Sequence, residues 1–244
     1  MDLTNRIALV TGGARRVGRT IALALARRGA HVAFTYQTSR QEAKSLVREL
    51  TALGGKSLAV KADLRRAADV KGAVRAVVKN YGRIDVLVNN AAIYPRTPWA
   101  KLDEKTWEEI LTTNLRGPFL FAKAAGDRML KQGGGKIINL ADWAGERPYK
   151  DYLPYCISKA GVIAMTKALA LELAPSVQVN AVAPGPVLLP KDITAAGRRA
   201  VIAATPLHRI GSPEDIANAV VFLLEGSDFI TGALLPVDGG RLIA

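Results

Sequence analysis

The 244-residue sequence predicts an α/β fold: a single-domain, doubly wound, seven-stranded and mostly parallel sheet with helices on both faces. Three observations carry that prediction. Strand-like and helix-like stretches alternate along the chain. The strand-like stretches are unbroken apolar runs, as parallel strands covered on both faces require. A glycine-rich turn joins the first strand to the first helix.

The elements follow in order. RIALVTG reads as the first strand, and VGRTIALALARRG as an amphipathic helix closed by Gly29. AHVAFTY is a second strand. SRQEAKSLVRELTALGG is a helix with a charged outer face. KSLAVKADL and IDVLVNNA are the third and fourth strands, with the helix AADVKGAVRAVVKNYG between them. A long helical region runs from about Glu104 to Gln132, and GKIINLA is the fifth strand. LPYCISKAGVIAMTKALALELA forms a long helix ended by Pro175, followed by the sixth strand, VQVNAVAPG. A shorter helical stretch is expected near Asp192 to Ala204. In SPEDIANAVVFLLEG, Ser212 is a natural N-cap and Pro213 suits the first helical position. GALLPVDGG supplies the last strand. No linker, repeat or low-complexity segment interrupts the order, so residues 1–244 are expected to form one domain.

Composition narrows the function classes. The chain is 49% hydrophobic and 23% charged, which suits a sizeable core. Its one cysteine, Cys156, allows no intramolecular disulfide and fits a reducing, cytoplasmic setting. The start, MDLTNRIALVTGG, lacks the basic n-region and apolar length of a signal peptide. The longest apolar stretch is broken by Lys167 and Glu172, so no membrane span is expected. A formal net charge of +13 attracts anions. Zinc-finger spacing, RNA-binding aromatic motifs and basic heptads are all missing, so a phosphorylated cofactor is expected rather than a specific nucleic acid. His31 and His208 stand far apart, and no Cys/His spacing suggests a metal.

The turn VTGGARRVGRT lets the backbone approach a pyrophosphate at a helix N-terminus. Its spacing, from Thr11 to Gly18, is T-G-x-x-x-R-x-G. After the second strand, TYQTSR offers hydroxyls and a guanidinium where an acid would hold a ribose 2′-OH. With Arg15 and Arg16 in the turn, this set suits a 2′-phosphate, and the expected cofactor is NADPH. The plainer reading makes Arg15 and Arg16 solvated charges and Arg40 a first-turn helix residue. Gly12, Arg15, Arg16, Val17, Thr38, Ser39, Arg40, Asp63, Leu64, Asn90, Ala91, Pro184, Gly185 and Val187 are the candidate cofactor contacts, with Tyr155 and Lys159. Asp63 would accept from the adenine amino group, or else cap the next helix.

Tyr155 and Lys159 stand i and i+4, on one helix face. A phenol of ordinary pKa about 10 is made more acidic by a nearby ammonium. Such a tyrosine can exchange a proton near neutral pH.

The glycine turn, NNA at Asn89–Ala91, Asn114 in TTNLRGPF, Y-x-x-x-K, APGPV at Ala183–Val187 and TGALLPVDGG occur in that order. This set resembles the short-chain dehydrogenase/reductase family over essentially the whole chain. The resemblance implies a Rossmann fold and hydride transfer between a nicotinamide and a small-molecule substrate. It implies Tyr155 as proton donor, Lys159 on the nicotinamide ribose, and Asn114 holding a relay water. It also implies a homotetramer or dimer, often through helices near Glu104–Gln132 and Leu153–Ala174. The sequence departs from the family pattern at Arg16 (a glycine), Asp142 (the catalytic serine) and Leu189 (often threonine). The first two departures resemble the pteridine reductase branch, where an aromatic at the place of Tyr94 stacks on the pterin. That branch often has serine where this chain has Ala92.

The aspartate sets the expected chemistry. An ionised carboxylate only accepts hydrogen bonds and repels an oxygen gaining charge. Lys159 favours the ionised form. Asp142 then suits a substrate with N–H groups or a protonatable ring nitrogen. The expected reaction is NADPH-dependent reduction of a pterin-like C=N bond, with Tyr94, Asp142 and Tyr155 touching the substrate. Burial could instead keep Asp142 neutral and readmit carbonyls such as 3-oxoacyl thioesters. Asp142 could also point away and cap the following turn. A dinucleotide-sensing or nucleic-acid-associated protein without turnover is the remaining alternative. The stretch from Leu188 to Ala204 is expected to form a lid.

Overall fold

The computed structural model describes residues 1–190 and 193–244. Its elements are β1 (Ile7–Val10), α1 (Arg16–Ala26), β2 (His31–Tyr36), α2 (Arg40–Ala52), β3 (Ser57–Lys61), α3 (Ala67–Tyr81) and β4 (Val86–Asn89). Then come α4 (Glu104–Leu111), α5 (Gly117–Lys131), β5 (Gly135–Leu140), α6 (Leu153–Leu173), β6 (Val177–Pro184), α7 (Ala195–Ala203), α8 (Pro213–Glu225) and β7 (Leu234–Val237). The seven strands form one sheet in the order β3-β2-β1-β4-β5-β6-β7. Every pairing is parallel, so the expected "mostly parallel" sheet is fully so.

The unbroken apolar runs are explained by alternation between two cores. Ala8 and Val10 of β1, Val86 and Val88 of β4, and Ile138 of β5 face α1, α2 and α8. Ile7, Leu9, Leu87 and Ile137, their neighbours in sequence, face α3, α5 and α6 on the other side. Both faces are therefore dry, and no position in these strands can be polar without a buried partner. Each Leu or Ile so enclosed contributes about 1.5–3 kcal/mol.

Local chemistry ends the helices where expected. Gly29 takes φ +82 after α1. Ser212 and Asp215 form a reciprocal capping box at α8. Two expectations change. The helical region from Glu104 to Gln132 is not continuous: a π-helical turn at Thr112–Arg116 separates α4 from α5. The helix expected from Asp192 begins at Ala195; Asp192 itself lies outside the described residues.

Strand order places the working end of the sheet. The chain winds outward from β1 through β2 to β3, and from β4 through to β7. Between β1 and β4 the winding reverses, leaving a crevice beyond their carboxyl ends. The glycine turn leaves β1 there, and Asn90 and Ala91 follow β4.

Candidate active site

Asp142 follows β5 in extended backbone and is turned inward. Its Oδ1 accepts from the Ala144 amide at 2.9 Å, capping a 3-10 turn at Trp143–Gly145. Its Oδ2 accepts from the Tyr155 hydroxyl at 2.8 Å. The two readings of Asp142, capping and facing the site, are thus both met, one by each oxygen. Gly145 permits this. A Cβ there would sit 2.8 Å from Ile163 Cδ1 and 2.9 Å from the Ala160 amide nitrogen, so only glycine lets the turn lie flush on α6.

Tyr155 and Lys159 occupy one face of α6, as their spacing requires, and both are buried. Lys159 Nζ donates to the Leu140 carbonyl at 2.7 Å and lies 5.8 Å from the Tyr155 ring centroid. A chain of buried amides holds α6 against the sheet. Asn89 donates to Asn139 at 2.9 Å, and Asn139 donates to Thr166 at 2.9 Å. Asn114 sits in the π-helical turn. It accepts from the Ile93 amide and donates to the Ile93 carbonyl, both at 2.8 Å, and donates to Ser158 at 3.3 Å. Ser158 in turn donates to the Tyr155 carbonyl at 2.7 Å.

Burial governs the ionisation of this cluster. It pushes Lys159 down to about 8, and the Asp142 charge only partly opposes this. It raises the Asp142 carboxyl despite the Ala144 amide, Lys159 and Tyr155. It raises Tyr155 well above the ordinary phenol, with Asp142 adding to the effect. Two expectations are thereby corrected. Lys159 does not make Tyr155 more acidic here, because its ammonium is aimed at a backbone carbonyl and the phenol faces a carboxylate. Nor does Lys159 hold Asp142 at an ordinary carboxylate pKa, because loss of water outweighs the attraction.

Tyr94 stands over this centre. Its ring meets Tyr155 edge-on at 4.6 Å. One of its faces is stacked on Tyr152 at 4.4 Å, so the expected stacking platform already has a protein partner on that side. Its hydroxyl accepts from Tyr149 at 3.0 Å. Trp143 stacks on Tyr149 at 5.2 Å. Tyr149, Tyr152, Ser158 and Trp143 were not singled out from the sequence. Three tyrosines at 149, 152 and 155 are the visible signal, since the three-residue step repeats toward the start of a helix.

The crevice is built as a cradle. Thr11 accepts from the Asn90 and Ala91 amides at 3.0 and 3.1 Å. The Asn90 side chain donates to the Thr11 and Gly12 carbonyls at 2.9 and 3.2 Å, so it pins the glycine turn itself. Gly12 has φ +63, and a Cβ at Gly18 would lie 2.5 Å from the Asn90 amide nitrogen. Helix α1 has no side-chain cap and no acid in its first turn, so its N-terminal amides are left to an anion. These features fit a dinucleotide pyrophosphate. Arg15, Arg16 and Arg40 form no ion pair among the described residues. Arg16 has φ +54 and donates to the Leu188 carbonyl at 3.3 Å. Thr38 is exposed, Ser39 makes no side-chain cap, and Arg40 begins α2, all at the end of β2. Val17 is half-buried in the first turn of α1.

The remaining candidates divide. Asp63 is clamped by Arg65, whose Nη2 lies at 2.7 Å, and that guanidinium holds its carboxyl below the usual range. The next helix is capped at Arg66 instead, so Asp63 is not its cap. The Leu64 side chain is buried against Gly117. Pro184 ends β6. Gly185 approaches β7 so closely that a Cβ would lie 2.5 Å from Asp238 Cα. Val187 packs toward Gly211. No group of metal-binding side chains occurs among the described residues, and no helix among them is long and apolar enough to cross a membrane.

A parallel sheet with its switch point at a glycine cradle, beside a Tyr–Lys helix face, defines a nucleotide-dependent oxidoreductase, and the chain belongs to the short-chain dehydrogenase/reductase family. The family model described as enoyl-(acyl carrier protein) reductase matches residues 12–241. The chain is similar to a 3-oxoacyl-[acyl-carrier-protein] reductase of Staphylococcus aureus, at 40% identity over 96% of each chain. It is also similar to the solved short-chain dehydrogenase/reductase of Serratia marcescens, with a TM-score of 0.93 and 35% identity over 99% of this chain and 100% of that one. A blue fluorescent protein from a metagenomic library, solved in complex with NADPH, superimposes with a TM-score of 0.92 and 36% identity over the whole of both chains.

Proposed function

We propose that the chain is an NADPH-dependent reductase of a C=N bond in a pterin-like heterocycle. The observation that carries this reading is the partly buried Asp142 carboxyl, 2.8 Å from the Tyr155 hydroxyl. A ring nitrogen with neighbouring N–H groups is served by either form of that acid. The protonated acid donates to the nitrogen, and the ionised acid accepts from N–H. A carbonyl oxygen is served by the protonated form alone.

In this reading Gly12 and the α1 amides hold the pyrophosphate. Arg15, Arg16, Thr38, Ser39 and Arg40 hold the 2′-phosphate. Val17, Leu64, Asn90, Ala91, Pro184, Gly185 and Val187 border the rest, and Asp63, both of whose oxygens already accept from Arg65, would take the adenine amino group on a remaining lone pair. When bound, the nicotinamide supplies the hydride. Tyr155 gives its proton to the substrate nitrogen and Asp142 orients that proton beforehand. Lys159, with a pKa of about 8 and anchored on the Leu140 carbonyl, would hold the ribose, and its ammonium would offset the phenolate left when Tyr155 gives up its proton. Asn114, tied to α6 through Ser158, positions a relay water. Tyr94 presents its open side to the ring. The NADPH-bound relative supports the cofactor assignment.

The comparisons back a second reading, reduction of a 3-oxoacyl thioester, better than the heterocycle, since relatives of Staphylococcus aureus and Synechocystis matched over nearly their whole length are named for it. It needs a neutral Asp142, toward which burial works. NADPH oxidation with dihydrobiopterin, dihydrofolate and acetoacetyl thioesters separates the two. Turnover of the thioester alone rejects the heterocycle. In Asp142→Ser, pterin reduction is lost while thioester reduction is kept or raised if the second reading holds. A sensor without turnover is disfavoured by the intact Tyr155, Lys159 and Asp142 cluster. The chain is further proposed to act in the cytoplasm as one domain that pairs with itself. A groove lined by Leu111, Leu115, Phe119 and Met165 supports the pairing, since it lies on the helices that the resemblance assigns to the subunit interface.

A further inference from the structure

We propose that a basic recess beside the reaction site binds an anionic group carried by the substrate, at the end remote from the reacting atoms. The inference rests on the proposed reading only for where those atoms lie. The recess is a cavity of about 300 Å³ lined by Arg147, Ala203, Ala204, Pro206, Arg241 and Ala244. It lies beyond the carboxyl ends of β5, β6 and β7, away from the glycine cradle between β1 and β4.

Its two guanidiniums both donate to backbone carbonyls. Arg147 Nη1 donates to the Arg241 carbonyl at 2.9 Å, and Arg241 Nη1 donates to the Ala204 carbonyl. Among the described residues no carboxylate pairs with either. Ala244, the last residue of the sequence, lines the recess, and its terminal carboxylate forms no ion pair with either guanidinium; the acids closest in sequence are otherwise engaged or turned out. Asp238 spends its two oxygens on the amides of Gly240 and Leu242, at 2.9 and 2.7 Å, which shapes the turn that carries Arg241. Glu146 is exposed. Each guanidinium offers five N–H donors in a planar fork, so most of the donors at this recess remain free.

An aromatic path joins the recess to the reaction site. The Arg241 guanidinium lies over the Trp143 ring at 5.4 Å. Trp143 stacks on Tyr149, Tyr149 bonds to Tyr94, and Tyr94 meets Tyr155. A flat, elongated substrate lying along this path reacts at Tyr155 and places its far end between the two arginines. Two sources share that chemistry: the carboxylates of a glutamate tail on a heterocycle, and the phosphate of a pantetheine thioester.

Calorimetric titration with p-aminobenzoylglutamate, 4′-phosphopantetheine and inorganic phosphate tests the site without turnover. Saturable binding of one of the first two is expected, weakened at least about tenfold in the double variant Arg147→Gln, Arg241→Gln. The single variant Arg147→Gln, at an exposed side chain, should show part of that loss should the double variant fold poorly. Glutamate preferred over pantetheine assigns the tail to a heterocycle, and the reverse assigns it to a thioester. In turnover, the kcat/KM ratio of dihydrofolate to dihydrobiopterin should fall with the same variants. The proposal is overturned by no saturable binding, by unchanged affinity in the variants, by inorganic phosphate binding as tightly as either tail, or by equal loss of both turnover rates. Absence of pterin reduction with binding intact rejects the heterocycle reading alone.

Discussion

At the scale of single residues, three groups share one enclosed space and titrate against one another. Tyr155→Phe removes the proton nearest the substrate, and kcat should fall by about 10²- to 10⁴-fold with cofactor binding retained. Cofactor titration by fluorescence, alongside turnover, checks both halves. Folding stability should carry the signature of burial as well. Asp142 has a raised pKa when folded, so the stability it contributes is full below the ordinary carboxylate pKa and is lost as pH rises through the folded value. Lys159 works in the other direction. Its folded pKa is about 8 against 10.5, so between these values the unfolded chain binds the extra proton and stability rises with pH. Thermal midpoints measured across pH should therefore lose the acid-side fall in Asp142→Asn and the alkaline rise in Lys159→Met. Unchanged slopes would show that neither group is as enclosed as the packing implies.

At the scale of elements, the glycine turn and α6 decide the site. Gly18→Ala should destabilise the fold by about 1–3 kcal/mol, because its Cβ meets Asn90 and the Gly12 carbonyl oxygen, each at 2.5 Å. Denaturant unfolding measures it. Arg16 is the opposite case. A non-glycine residue at φ +54 is held there against its preference. Arg16→Gly should cost no stability while preference for NADPH over NADH drops, as read from the two kcat/KM values. Much of this was legible beforehand, because strands, caps and the i, i+4 pair are local patterns. Asp142 was legible as a departure at a known position. Its partnership was not, since Lys159 aiming at Leu140 depends on how β5 and α6 pack. The tyrosine group and the two arginines assemble from distant segments, Arg147 and Arg241 above all, and no spacing rule reaches that far. The break between α4 and α5 was missed because the residues around Asn114 read as helix throughout.

At the scale of the whole molecule, a basic surface encloses two dry cores, and apolar side chains remain outside. Trp99 is 81% exposed, Leu171 82% and Phe229 100%. Such single exposed side chains are ordinary, but the groove around Phe119 gathers Leu111, Leu115 and Met165 on one face. Sedimentation should give a mass that is a multiple of 26.0 kDa, and Phe119→Glu should lower it. A monomer in the unaltered chain would refute the pairing.

The widened turn at Thr112–Arg116 carries a consequence for anyone shortening or grafting this scaffold. A π-helical turn takes one more residue per turn than an α-helix, so five residues there carry the chain around the axis about as far as four do in ordinary coil. Trimming one amino acid would therefore let α4 and α5 fuse while Phe121, Ala125 and Met129 kept their direction into the core. What would be lost is the place of Asn114, which would let go of Ile93, so the site would fail while the scaffold stood.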